Sequence, residues 1–233
     1  MSVLRSGTLA CVCVAMLGAA AGVNELANAR DRQDSAALDR LVKQRSAAVQ
    51  RDAKSAEANY ELALGYSYSA EVAMELRDKK KAEALAEAGL DPAKKAVESN
   101  GGKAEYHRLL GELCGQVIPA NPLFGALKYG QCARDEISKA IELDGNLALA
   151  YVSRGVGNYY LPSSMGGGLD VALKDLDKAI SLNPNLAEAY LWKGITLRKA
   201  HRDADARKCF ERALQLDPNR LWTKEQLSKT PAA

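Results

Sequence analysis

The side chains that could do chemistry are few and are spread along the chain. The 233 residues include only two histidines, His107 and His201. Catalysis needs a nucleophile, a base or a metal held close to its partners. The two histidines are far apart in sequence, and Ser163 and Ser164 lack the G-x-S-x-G setting of a hydrolase. We therefore predict a non-catalytic protein with no metal site and no cofactor.

A cluster of three glycines, Gly166-Gly167-Gly168, could instead cradle a phosphate. A phosphate-binding loop would need a strand before it and a G-K-[ST] sequence after it, and the chain has neither at this place. Leu161-Pro162 ends one predicted helix, and Asp170 lies at the start of the next, where a carboxylate favours the helix dipole. The cluster predicts a wide connector between helices, with anion binding by its backbone amides as the lesser alternative.

The first 29 residues predict export. Arg5 is followed by an uncharged apolar run, Leu9–Ala21, and Ala27-Asn28-Ala29 gives an A-x-A cleavage pattern. We interpret residues 1–29 as a secretory signal peptide and residues 30–233 as the exported protein, periplasmic or secreted. The alternative is an uncleaved membrane anchor.

Export changes what the remaining cysteines can do. Cys114, Cys132 and Cys209 lie beyond the signal peptide, and none forms a C-x-x-C pair. In an oxidising compartment Cys114 and Cys132 could form a disulfide, and buried free thiols are an equal alternative.

Composition favours helices and excludes a nucleic-acid partner. The chain is 47% hydrophobic and only 6% aromatic, with seven prolines. Its 32 basic and 29 acidic residues nearly cancel, to a net charge of +3. Phosphate backbones require a concentrated basic surface, which this balance does not supply.

Four segments repeat one pattern, a helix with a central glycine followed by a helix with an alanine two turns before its end. From each alanine to the next glycine the spacing is always 15 residues, whereas glycine to alanine within a unit falls from 31 to 19. Units therefore join in a fixed geometry, and the extra residues lie between the two helices of a unit. The glycines are Gly65, Gly111, Gly155 and Gly194, and the alanines are Ala96, Ala140, Ala179 and Ala213.

These units resemble tetratricopeptide repeats. The last one, 34 residues long, matches the family's positions with Tyr190, Gly194, Leu197, Ala206, Phe210, Ala213 and Pro218. The resemblance implies an all-α helix-turn-helix solenoid of about four repeats, with an N-terminal half-repeat and a C-terminal capping helix. The predicted repeats cover about 58–102, 104–146, 148–186 and 187–220, and the cap covers 221–229. Residues 34–54 resemble an unpaired second helix that closes the other end.

In this family the inner face of the first helices lines a concave groove. Counted from each glycine, that face carries aromatic rings, aliphatic side chains and a few charges, a mixture that suits a peptide or an amphipathic small molecule. The candidate binding residues are Asn59, Tyr66, Arg108, Glu112, Gln116, Tyr159, Tyr160, Arg198 and Lys199.

The expected function is an exported scaffold whose groove binds a peptide or helix of a partner protein in the cell envelope. The irregular second and third units are also similar to those of exported tetratricopeptide proteins associated with TRAP-type solute transporters. That similarity implies the alternative, a small-ligand-binding or transport-accessory protein, which is compatible with an oligomer.

Overall fold

The fold follows from helices that alternate in direction and are joined by short turns. A computed structural model describes residues 24–120 and 122–232, so the apolar run Leu9–Ala21 lies outside the described residues. Within the described residues there is no strand, and the predicted all-α solenoid is confirmed. No described helix combines the length and the hydropathy needed to cross a bilayer.

Eleven α-helices are present in the described part of the chain, and α1 comprises the helical residues 24–31. The others are α2 (Ser35–Arg51), α3 (Ala56–Glu75), α4 (Lys79–Ser99), α5 (Ala104–Val117), α6 (Pro122–Leu143), α7 (Ala148–Tyr160), α8 (Leu169–Leu182), α9 (Ala187–Lys199), α10 (Asp203–Leu216) and α11 (Leu221–Ser228). Two 3₁₀ turns, Ile118–Ala120 and Ser163–Met165, lie between α5 and α6 and between α7 and α8.

Each of the four units is a pair of packed helices: α3 with α4, α5 with α6, α7 with α8, and α9 with α10. We call the earlier helix of each pair the first helix and the later one the second helix. The half-repeat at the N-terminal end contains α2, which α1 precedes. At the other end, Trp222 and Leu227 of α11 pack on the core of the last unit, while Leu221 is exposed.

The repeated glycines allow the two helices of a unit to approach closely. A β-carbon on Gly194 would lie 2.6 Å from the Phe210 ring, and one on Gly111 would lie 2.7 Å from Ile137. Gly65 differs, because its missing β-carbon faces Val42 of α2 at 3.1 Å instead of its own second helix. The first unit is therefore rotated relative to the pattern that the glycine spacing predicts.

The extra residues of the first two units form helix and not loop. α3, α4 and α6 contain 20, 21 and 22 residues, against 13 and 14 in α9 and α10. α4 begins 13 residues before Pro92 and runs through it. The third unit places its insertion in a connector, where Gly166 and Gly168 have positive φ values of 86° and 109°. Those angles are accessible to glycine, so the prediction of a wide connector is confirmed.

Candidate functional site

The inner face of the first helices contains two different surfaces. Side chains of α1, α3 and α5, together with Arg220, form what we call the charged half. Tyr159, Tyr160, Trp192 and Trp222, from α7, α9 and α11, form what we call the aromatic half. Glu188 joins the two, since it accepts a hydrogen bond from the Trp192 indole at 3.0 Å and lies 3.9 Å from the Arg30 guanidinium.

In the charged half, Arg108 of α5 is buried and its hydrogen bonds are used within the chain. Its Nη2 donates to Glu105 at 2.7 Å, and its Nη1 donates to Glu112. Ser153 of α7 donates to Glu112 at 3.0 Å, and Tyr60 of α3 donates to Glu105 at 3.1 Å. This network joins three successive first helices, and it keeps the Arg108 guanidinium buried, with both of its nearest carboxylates supplied by its own helix.

A second cluster of ion pairs joins the two ends of the solenoid. Arg220, at the start of α11, donates to Glu71 at 2.5 Å and also to Glu75, both on α3. Its Nε lies 3.7 Å from Asp31, and Arg30 lies 3.9 Å from Glu71. Arg220 keeps only 2% of its surface exposed although its partners are 145 and 149 residues away in sequence. The cluster therefore closes the inner face at this half.

The carboxylates outnumber the cations in this cluster, and burial disfavours their charged form. Burial raises the pKa of Glu71 to about 8, against partial opposition from Arg220 and Arg30. Burial also raises the pKa of Glu75 and of Asp31. Two guanidinium groups, on Arg30 and Arg220, face four carboxylates when Glu188 is included. A proton bound to Glu71 therefore offsets part of the excess negative charge near neutral pH.

The aromatic half is more open. Tyr159 and Tyr160 contact each other edge to face at 4.9 Å between ring centroids, and Trp192 and Trp222 do so at 5.4 Å. Tyr159 lies 6.0 Å from Trp192, so the four rings form a continuous row across three helices. Tyr160 keeps 58% of its surface exposed. The Lys199 ammonium lies 4.1 Å from the centroid of the Tyr159 ring, a cation–π contact at the margin of the row.

The structure divides the predicted binding residues between these surfaces and the core. Tyr159, Tyr160 and Lys199 lie in the aromatic half, while Arg108, Glu112 and Gln116 belong to the network of the charged half. Arg198 is held by α11, because its guanidinium donates to the Gln226 carbonyl at 2.9 Å and to the Gln226 side chain at 2.5 Å.

Two predicted residues of the first unit do not face the groove. Asn59 is completely buried, and its side-chain amide donates to the carbonyls of Ala53 and Ser55. Tyr66 packs against α4, where a β-carbon on Gly89 would lie 3.0 Å from it. Both assignments were counted from Gly65, whose orientation differs from that of the later glycines, and the inner face of α3 carries Glu71 and Glu75 instead.

Sequence reasoning missed Trp192 and the ion pairs of Arg220. Trp192 comes two residues before Gly194, and its position beside the repeat glycine is the signal that could have identified it. No local pattern predicts the contact of Arg220 with α3, because only the curvature of the solenoid brings them together.

The histidines and cysteines have structural roles. His107 is buried, with Nδ1 2.6 Å from Glu136 and Nε2 2.9 Å from the Gly101 carbonyl. Cys114 and Cys132 are joined as a disulfide that links α5 to α6. His201 is exposed in the turn before α10. Among residues 24–120 and 122–232, no group of three metal-ligating side chains comes together.

The helix pairs and their inner face define a tetratricopeptide solenoid, a scaffold consistent with protein–protein interaction. Over residues 21–163 the sequence matches the family described as regulator of microtubule dynamics protein 1-3, and the chain belongs to that family. Residues 187–220 match the tetratricopeptide repeat. A comparison with curated protein sequences gave no significant match.

Solved structures agree on the fold. A thermophilic tetratricopeptide protein of Thermus thermophilus superposes with a TM-score of 0.62 at 18% identity, covering 83% of this chain and 90% of its own. The haemophore HusA of Porphyromonas gingivalis superposes with a TM-score of 0.53 at 20% identity, covering 82% of this chain and 92% of its own. At such identities the likeness concerns the fold alone.

Proposed function

We propose that this chain is an exported, non-catalytic scaffold whose aromatic half binds a peptide or helix of a partner protein. The observation that carries the proposal is the contrast in exposure on the inner face. The buried guanidinium groups of the charged half are bonded within the chain, whereas the aromatic half exposes Tyr160 and leaves Tyr159, Trp192 and Trp222 partly exposed. Trp and Tyr are enriched among the residues that dominate binding at protein interfaces, because each buries a large area with few rotatable bonds.

The row suits an amphipathic segment. Its four rings would contact apolar side chains of the partner, and Lys199 and Glu188 supply one charge of each sign at the margins. A partner helix with apolar residues at i, i+3 and i+7 could lie along α7, α9 and α11.

Export is supported by the disulfide between Cys114 and Cys132, because such bonds persist mainly in oxidising compartments. The signal-peptide boundary, however, needs adjustment. Leu26 and Ala29 are buried in the core of the first units, so cleavage after Ala29 would remove part of that core. We place the cleavage after Ala21, where Ala19-Ala20-Ala21 also gives an A-x-A pattern.

N-terminal sequencing of the exported protein tests this boundary. We expect the processed chain to begin at Gly22. A chain that begins at Arg30 would contradict the role of Leu26 in the core, and a chain that keeps residues 1–21 in the membrane would support the anchor.

The partner follows from the compartment. An exported chain would meet proteins of the cell envelope. If the resemblance of the second and third units to transporter-associated tetratricopeptide proteins holds, a solute-binding protein is one such partner. The family description names regulation of microtubule dynamics, which also implies action on a protein. A small ligand is less well supported, since the cavity of about 230 Å³ between α1 and α2 lies at the end of the solenoid. It is also below the roughly 300–1,000 Å³ of common ligand pockets.

The test is capture of partners from an envelope extract by the processed protein and by two matched variants. Tyr160→Ala removes the most exposed ring of the aromatic half, and Tyr151→Ala removes a tyrosine of the same helix that hydrogen-bonds the Gly145 carbonyl outside the row. We expect Tyr160→Ala to weaken binding of the captured partner by roughly tenfold, or about 1.4 kcal/mol, and Tyr151→Ala to leave it unchanged. Equal affinity of Tyr160→Ala and the parent protein would contradict the proposed surface. Arg108 and Arg198 are unsuitable test positions, because both hold the fold together.

A further inference from the structure

The two edges of the solenoid differ in the apolar and charged side chains that they expose, and this difference is separate from the inner face. Because successive helices alternate in direction, every turn from a first to a second helix lies at one edge, which we call the connector edge. It comprises residues 76–81, the first two turns of α6 from Phe124, residues 161–168 and residues 200–202. The turns between units, such as 100–103, 144–147 and 183–186, lie at the opposite edge, which we call the junction edge.

Large apolar side chains are exposed mainly at the connector edge. Leu76, Phe124, Leu127 and Met165 keep 54%, 67%, 84% and 64% of their surfaces exposed. At the junction edge the corresponding residues are Leu143 and Leu221, at 37% and 41%. Removing apolar surface from water is favourable, so a row of apolar tips at one edge indicates a surface that something covers.

Cations accompany these apolar tips. Arg77, Lys79, Lys80 and Lys81 are exposed immediately after Leu76. Lys128 is exposed immediately after Leu127, and its ammonium lies 3.7 Å from the exposed Glu87 carboxylate. The one carboxylate within residues 76–81 is Asp78, which accepts a hydrogen bond from the Lys81 amide and caps α4. The junction edge has Asp144 and Asp217 at the equivalent places in its turns, where their side chains accept from backbone amides.

Lysine with separate apolar tips fits a lipid surface better than a protein surface. Lysine is depleted at protein interfaces, whereas lysine and apolar side chains together are typical of segments that lie on anionic membranes. The tips also project from turns and helix starts and do not line a groove. We propose that the connector edge docks on an anionic lipid bilayer, with Leu76, Phe124, Leu127 and Met165 at the boundary between headgroups and acyl chains.

Cosedimentation of the processed chain, which begins at Gly22, with vesicles tests the proposal, using phosphatidylcholine alone and phosphatidylcholine mixed with phosphatidylglycerol. The charge variant is Lys79→Glu/Lys80→Glu/Lys81→Glu, the apolar variant is Phe124→Ser/Leu127→Ser, and the matched control at the junction edge is Leu143→Ser/Leu221→Ser. All variants begin at Gly22, so the apolar run Leu9–Ala21 does not contribute to binding.

We expect the parent chain to bind the mixed vesicles more tightly than the neutral ones. The charge variant should bind the mixed vesicles at least roughly a hundredfold more weakly, because each lysine contributes severalfold near an anionic surface. The apolar variant should bind about tenfold more weakly, and the control should match the parent chain. If the apolar variant does not melt like the parent chain, Leu127→Ser alone replaces it, since that side chain is the most exposed.

Hydrogen exchange identifies the segment that touches the lipid. We expect mixed vesicles to protect the amides of residues 76–81 and 124–128 and to leave residues 144–147 unchanged. Three results would each overturn the proposal: vesicle binding that is equal in all variants, equal binding to neutral and mixed vesicles, or binding without protection at the connector edge.

Discussion

The charged half and the aromatic half occupy the same inner face, yet their side chains differ in exposure and in how far they are bonded within the chain. Arg220 is 2% exposed and contacts carboxylates of α1 and α3, whereas Tyr160 is 58% exposed and lies against the rings of Tyr159 and Trp192. A buried charge must be paired, so the charged half contributes to holding the solenoid closed. Exposed rings have no such requirement and are available to a partner. A residue on a family's binding face is therefore a binding candidate only if its contacts within the chain leave it free.

The largest effect is expected where the charged half closes the solenoid. Arg220→Ala would leave Glu71 and Glu75 buried without their closest cation, and breaking a buried pair in this way costs about 3–5 kcal/mol. Urea unfolding of the variant and the parent chain measures the loss. The control is Arg202→Ala, which removes an exposed pair with Asp205 and should cost less than about 1 kcal/mol. Equal losses in the two variants would mean that the closure adds no stability.

The second largest loss of stability is expected when the disulfide is removed. Its Cys114 lies on α5, one of the helices of the charged half. Cys114 and Cys132 are 18 residues apart, and a bond that closes a loop of this length stabilises a fold by about 3 kcal/mol. We expect Cys114→Ser/Cys132→Ser to lower the free energy of unfolding by about 3 kcal/mol, and therefore to lower the urea midpoint. Reductant should have the same effect on the parent chain. Cys209→Ser removes the free thiol and should leave the midpoint unchanged. A midpoint that does not respond to reductant would contradict the pairing.

The sequence predicted the later units better than the earlier ones, for a physical reason. Gly155 and Gly194 each pack on their own second helix, and the positions counted from them, Tyr159, Tyr160 and Lys199, lie together in the aromatic half. The first unit has longer helices, and Gly65 faces α2 instead, which moved Asn59 and Tyr66 out of the groove.

The charged half could not be predicted, because its contacts depend on curvature. The local sequence predicts a helix-cap residue at Arg220 and a surface carboxylate at Glu75, at the end of α3. Their contact spans 145 residues and arises from the small rotation that each unit adds. Neither the composition nor the spacing of the repeats predicts the total rotation from the first unit to the last.

A smaller effect concerns pH. Burial raises the pKa of Glu71 from its ordinary value of 4.5 to about 8, so the folded chain holds a proton that the unfolded chain releases. The stability from this group is fully present below about pH 4.5 and is lost as pH rises through 8. We expect Tm to fall between pH 5 and pH 8, and to fall less in Glu71→Gln, which keeps a neutral side chain at that place.

The control for the pH effect is Asp39→Asn, which alters an exposed carboxylate of α2 and should keep the parent's pH profile. Glu75 and Asp31 shift in the same direction as Glu71, so Glu71→Gln should reduce the slope without abolishing it. A steeper slope in Glu71→Gln than in the parent chain would contradict the assignment of the proton to Glu71.

The smallest effect on stability is expected in the aromatic half, and that is what separates the two surfaces. Tyr160→Ala removes a ring that is more than half exposed. We therefore expect the free energy of unfolding, measured by urea, to change by less than about 0.5 kcal/mol. Trp192→Ala should cost more, since its ring contacts Tyr159 and Trp222 and its indole donates to Glu188. If Tyr160→Ala destabilised the chain as much as Arg220→Ala, the aromatic row would be part of the closure, and the distinction between a closed half and a binding half would be lost.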